Sequence, residues 1–204
     1  MNYQNKIFTI GHSNYENDRF IKLLTDHSIN VIADVRQFPY SKYVPHFNKD
    51  CISKTLLKFN IKYIFLGDLL GARPQDSKYY TNNYVDFAKL AQASFFQEGL
   101  SRLKEGAKTL RIAIMCAEKD PVMCHRTILV CRNLRKSNLE ILHILTDSTL
   151  EKNTITEMRL REIHKLQNNE LFRSCEEIIE DAYNRQSKKM VASIESTQPK
   201  INPA

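Results

Sequence analysis

The chain reads as an α/β protein in which a mainly parallel sheet of about five strands carries helices on both faces. Five short runs rich in β-branched and aromatic residues recur, at Ile7–Ile10, Val31–Val35, Tyr63–Leu66, Leu110–Met115 and Ile141–Leu145. Most are nearly continuous in apolar character rather than alternating, as strands buried on both faces require. Helix-like stretches lie between them. Strand–helix–strand alternation calls for right-handed crossovers joining parallel strands.

Taken in order, Ile7–Ile10 is followed by Ser13-Asn-Tyr-Glu16, which has the form of a capping box opening a helix to about His27. The crossover after the third run, from Gly67 to Thr109, is the longest. Its first part, Gly71 to Asn83, is polar and aromatic without periodicity, so it reads as a loop of the kind that covers a site. A helix from Ser94 to Glu105 then ends at Gly106, where a C′ glycine belongs. Beyond the fifth run, amphipathic helices are expected over about 149–166 and 169–185. The polar stretch 186–204 reads as a tail without fixed structure, leaving a single α/β domain over 1–185.

Composition narrows the classes. At 204 residues, with 42% hydrophobic and 26% charged, the chain can bury about 70% of its unfolded surface without staples. The longest apolar run, Ile112–Ala117, has six residues; a membrane span needs about 20. The first residues lack the apolar core of a secretory signal, so a cytoplasmic protein with no membrane partner is expected. Five scattered cysteines, Cys51, Cys116, Cys124, Cys131 and Cys175, do not suit a disulfide framework and serve as thiols, ligands or core filler. Of the net charge of +7, all lies in the first 150 residues, where 21 basic side chains face 14 acidic ones. That field favours an anionic small molecule or nucleic acid as partner, and equally suits a basic protein kept soluble by charge. With five glycines there is neither a dinucleotide fingerprint nor a phosphate loop, and no cofactor is expected from such motifs.

The polar residues that could do chemistry follow the carboxyl ends of the expected strands, which a parallel sheet gathers along one edge. His12 and Ser13 follow the first. Asp34 and Arg36 end the second, ahead of Pro39 and Ser41, and Gly67, Gly71 and Arg73 follow the third. Ser13 is explained as a helix cap before any catalytic role. An acid inside an apolar strand needs a partner, and Arg36 shares the face of Asp34, so the pair is structural or functional in equal measure.

The richest segment runs from Cys116 through Glu118 to Cys124, His125 and Arg126. Asp120 and Pro121 form a helix start, which puts Cys124, His125 and Arg126 in the first two turns, where free N–H groups and the dipole favour negative charge. The segment then fits an activated cysteine or an anion cradle, and buried packing explains the cysteines as well. Spacing rules out a tyrosine-phosphatase loop, haem attachment and paired zinc knuckles. A metal assembled in space from His12, Asp34, Cys116, Cys124 or His125 stays open. His143 reads as a satisfied core histidine. Tyr79, Tyr80 and Tyr84 anchor the long loop or, less simply, stack bases.

Together, Thr9-Ile-Gly-His12-Ser13, Asp34-Val-Arg36 with Pro39 and Ser41, Leu66-Gly67 with Gly71 and Arg73, and Cys116-x-Glu118-x-x-Pro121-x-x-Cys124-His125-Arg126 resemble the family known as domain of unknown function 488. The resemblance covers about residues 7–145. It implies a catalytic or binding site and brings no activity with it. The residues themselves suggest an enzyme acting on a small or nucleic-acid-linked anionic substrate. Cys124 would be nucleophile or redox thiol, Arg36 and Arg126 anion ligands, and His12, Asp34, Glu118 and His125 acid, base or orienting groups. Ser13, Ser41, Arg73 and Cys116 would line the substrate. A non-catalytic nucleotide or nucleic-acid binder and a metal-dependent hydrolase are the alternatives.

Overall fold

In the computed structural model, which describes residues 5–82, 84–166 and 173–195, all five apolar runs become strands. They are β1 (Lys6–Gly11), β2 (Val31–Asp34), β3 (Lys62–Phe65) and, after a hairpin of β4 (Tyr80–Thr81) and β5 (Tyr84–Val85), β6 (Ile112–Cys116) and β7 (Glu140–Ile144). A short edge strand, β8 (Leu150–Lys152), completes a six-stranded sheet of order β3-β2-β6-β1-β7-β8. Every pairing in it is parallel except β7 with β8. The protein is therefore α/β with a mainly parallel sheet. Among the described residues no helix is long and apolar enough to cross a membrane.

Strand residues alternate between two cores. Phe8, Ile10, Ile32, Ala113 and Met115 face one side, where helices α1 (Asn17–Asp26) and α2 (Lys49–Leu57) bury Phe20, Leu24, Ile52 and Leu56 against them. Ile7, Val31, Ala33, Ile112 and Ile114 face the other. That side is covered by α3 (Gly67–Leu70), α4 (Phe87–Ala91), α5 (Ser94–Gly106), a π-helical segment Arg126–Cys131 running into α6 (Arg132–Leu134), and the later α7 (Asn153–Ile163) and α8 (Cys175–Glu195).

Several expected boundaries move for identifiable reasons. Ser13 does not cap α1. Backbone pairing beside β6 continues past β1, from His12 N–H to the Cys116 carbonyl and from Ser13 N–H to the Ala117 carbonyl, and the chain turns at Ser13 with φ 49°. The helix starts only at Asn17, behind an extended Glu16. Gly106 is the last residue of α5 rather than a left-handed cap. The stretch expected to be a loop holds the β4–β5 hairpin, pinned by Tyr80 Oη donating to the Pro74 carbonyl at 2.8 Å and by Tyr79 packed edge-on against Phe95. Asp120 and Pro121 cap only one 3₁₀ turn, Pro121–Met123, after which Cys124 is extended and the helix restarts.

At the other end, Asp147 and Ser148 form a turn that allows β8 before α7, so that helix is shorter than expected. The second late helix begins with a genuine capping box, in which Ser174 Oγ accepts from the Glu177 N–H while Glu177 Oε2 accepts from the Ser174 N–H. Its expected start at 169 lies outside the described residues. It continues to Glu195 instead of stopping at 185, because Gln186, Met190 and Val191 prolong its buried stripe. Only the part of the expected tail from 196 onward lies outside the described residues.

Candidate functional site

Neighbouring strands β1 and β6 part company at their carboxyl ends. β1 leads to α1 on one face, and β6 leads to the Arg126–Cys131 segment on the other. The crevice between such strands is where open α/β sheets bind ligands. Two glycines let the chain close around it. A Cβ on Gly11 would run into the Glu118 carbonyl, and one on Gly67 into the Arg36 carbonyl.

One wing of the crevice is built around Arg36. Its Nε and Nη2 grip the Asp34 carboxylate at 2.7–3.2 Å, and Nη2 also donates to the Phe47 carbonyl at 2.8 Å. Tyr63 Oη donates to Asp34 at 2.6 Å, so the carboxylate is saturated. His12 stacks on Phe47 with 4.3 Å between ring centroids. Because His12 Nδ1 must donate to the Ser13 carbonyl, its Nε2 carries the lone pair that accepts from Arg36 Nη1 at 3.0 Å. Burial and the Arg36 charge lower the His12 pKa to about 4, which keeps this acceptor neutral. Burial works against the Arg36 charge, yet Asp34 holds its pKa above the ordinary value. These contacts leave one Nη1 hydrogen of Arg36 uncommitted.

The other wing gathers four ionisable groups from the end of β6 and the turn after it. Glu118 Oε2 accepts from Cys116 Sγ at 3.1 Å and from Cys124 Sγ at 2.9 Å. His125 Nδ1 lies 3.4 Å from Cys116 Sγ, while its Nε2 donates to the Val35 carbonyl at 3.1 Å. Although the Glu118 residue is exposed overall, its carboxylate is turned in against the two thiols, and the desolvation there opposes ionisation. The Cys124 hydrogen bond and the His125 charge nonetheless bring its pKa below the usual value. Burial lowers the His125 pKa, and the neighbouring Cys124 and Glu118 more than restore it. Cys124 is fully buried, which pushes its thiol pKa well up. The helix restart does supply it with one N–H donor, from Arg126 at 3.4 Å, too little to offset burial. Of the four, Glu118 is exposed and His125 half-buried, so the wing opens to solvent through them. Among the described residues, these same four form a group that could hold a metal ion. His12 and Asp34 are not among them, being committed to Arg36.

Arg126 is placed differently from what the sequence suggests. It is 0% exposed and turned inward, donating to the Glu118 carbonyl at 2.5 Å, the Lys119 carbonyl at 3.2 Å and Thr9 Oγ1 at 3.3 Å. From Thr9 a chain of hydrogen bonds continues to His143 Nδ1 at 2.8 Å, Asn153 Oδ1 at 3.0 Å and Glu157 at 2.8 Å. His143 is thus a satisfied core histidine. Ser41 takes a turn role, its Oγ accepting from the Tyr43 N–H at 3.1 Å, and Arg73 is exposed, its backbone N–H bound to Gln37. Ser13, half-buried, borders His12. Tyr63, Phe47 and the Val35 carbonyl escaped sequence reasoning. Tyr63 and Phe47 look like ordinary core aromatics, and a backbone carbonyl leaves no trace in residue identity.

Two further features border the Arg36 wing. The loop after β2 exposes Phe38, Tyr40 and Tyr43 at 65%, 71% and 96%, with Lys42 among them. A cleft of about 360 Å³ opens between Gln37, Gly67, Gly71, Tyr79 and Phe95. A second cavity, about 600 Å³ between the β4–β5 hairpin and α8, shares no lining residue with either wing.

Fold and site together define an open, mainly parallel α/β protein with a cluster of ionisable groups at the carboxyl edge of its sheet. More particularly, the chain belongs to the family described as domain of unknown function DUF488, whose model matches residues 16–132. That span holds both wings except His12. No curated protein and no solved structure matches the chain.

Proposed function

We propose that this protein is an enzyme acting on a small or nucleic-acid-linked anionic substrate at the carboxyl edge between β1, β2 and β6. The observation that carries the reading is the juxtaposition, across one crevice, of a locked guanidinium with an unspent hydrogen and a cluster of two thiols, an imidazole and a carboxylate. Gathering such groups away from water costs stability, and active sites are where that cost recurs. Arg36 takes the substrate anion. Asp34, Tyr63 and His12 are positioning residues that fix its fork. Glu118, the exposed member of the cluster, is the proton-handling group, with His125 oriented beside it by the Val35 carbonyl. Cys124 is too deeply buried to serve as the nucleophile, and Arg126 acts from beneath by fixing the Glu118 backbone.

The exposed Phe38, Tyr40 and Tyr43 support a substrate with bases or other flat groups, since aromatic platforms beside cations suit nucleotides and single strands. The test is a panel of nucleotides, nucleoside phosphates and short oligonucleotides incubated with the protein and read by mass spectrometry. Turnover is expected, falling about 10²-fold or more in Glu118→Gln and in Arg36→Met. Salt-dependent binding of the panel with no chemical change in any member would replace this reading with that of a non-catalytic binder.

A further inference from the structure

We infer that Cys116, Glu118, Cys124 and His125 form a binding site for a divalent ion of the zinc class. Their four ligand atoms all lie within 4.8 Å of one another. The separations of 2.9, 3.1 and 3.4 Å among sulfur, oxygen and nitrogen are close to the edges of a tetrahedron. With zinc bonds of 2.0–2.3 Å those edges measure about 3.3–3.8 Å, so small side-chain adjustments seat the ion. Two sulfurs and an imidazole select a borderline or soft metal over magnesium or calcium.

Two features outside the ligand set point the same way. The His125 Nε2–H is tied to the Val35 carbonyl, which fixes the ring and leaves Nδ1 facing the cluster, as in metal sites generally. Arg126 is a fully buried cation whose guanidinium donates to the Glu118 and Lys119 carbonyls and the Thr9 hydroxyl, while its backbone N–H reaches the Cys124 sulfur. A buried charge needs negative charge near it, and Cys124, Cys116 and Glu118 are the groups that supply it to Arg126. Metal binding converts both thiols to thiolates and releases their protons to solvent, so anionic sulfur then stands against the Arg126 guanidinium. Glu118, the most exposed ligand, is the one a substrate or water would displace.

The test is metal content and spectroscopy, independent of any activity. Full-length protein purified without chelators should carry about one zinc per chain. After removal of the zinc, added cobalt(II) should give the intense visible absorption of a tetrahedral thiolate centre. Cys116→Ser with Cys124→Ser should abolish it, Glu118→Gln should weaken it, and Cys51→Ser, a change on α2, should leave it intact. Folded wild-type protein with no stoichiometric metal and no cobalt band overturns the inference, as does a cobalt band that survives in the folded double variant. If the double variant fails to fold, Glu118→Gln decides, since an unaltered band there removes the assigned ligand set. The outcome is separable from the proposed function: bound zinc without turnover sinks only the enzyme, and full turnover in verified metal-free protein sinks only a working role for the ion.

Discussion

Arg36, after β2, and Arg126, after the neighbouring β6, solve the burial of a guanidinium in opposite ways. Arg36 is paired with a carboxylate, so Asp34→Ala should leave it buried and unpaired, at a cost of about 3–5 kcal/mol in urea unfolding. A loss under 1 kcal/mol would mean that the pair contributes little. Tyr63→Phe removes one donor from Asp34 and should cost about 1–3 kcal/mol. Thr9→Val cuts the chain between Arg126 and His143 and should cost a similar amount, whereas Ser101→Ala, at an exposed position on α5, should change nothing measurable. At this scale the sequence was only partly legible. An acid within an apolar strand demands a partner, and Arg36 two residues on was the one available. That Arg126 points inward was not legible, because its partners are backbone carbonyls of residues 118 and 119 brought over it by the fold.

Among elements, the strands were the most legible, since continuous apolar runs bounded by polar turns leave few other interpretations. Helix starts were less so. Ser13-x-x-Glu16 and Ser174-x-x-Glu177 have the same pattern, yet only the second closes a capping box. The difference is tertiary: backbone bonds to Cys116 and Ala117 keep His12 and Ser13 tied to the chain beyond β6, and Ser13 turns with φ 49° instead of capping the helix. The short glycines at the crevice make this edge sensitive to volume. Gly11→Ala would press a methyl into the Glu118 carbonyl, and the expected result is a loss of about 1–3 kcal/mol with displacement of the Glu118 turn. Measured by thermal unfolding, a Gly11→Ala protein as stable as wild type would show that the two turns are not packed as described.

For the whole molecule, the sheet order brings residues from positions 12 to 125 to one crevice, and this convergence was legible from the rule that parallel strands share a carboxyl edge. Which of those residues face the crevice was not, because burial is decided by packing from both layers. The same burial sets an acid limit on stability. His143 is buried between Thr9 and Asn153, and desolvation and the Arg126 charge lower its pKa to about 3, against 6.5 when exposed. The unfolded chain therefore takes up a proton that the folded chain refuses. Stability should be full above about pH 6.5 and should fall as the pH drops toward 3, by about 1.4 kcal/mol per pH unit from this residue. Urea midpoints that do not change between pH 7 and pH 5 would show that His143 is not closed in. The claim on which the functional account rests is the location of the substrate site. ¹H–¹⁵N spectra recorded while a nucleoside monophosphate and a short single-stranded oligonucleotide are titrated in test it most directly. Shifts should concentrate at amides 11–13, 36–43 and 116–125; shifts confined to the hairpin and α8, or none at all, would contradict it.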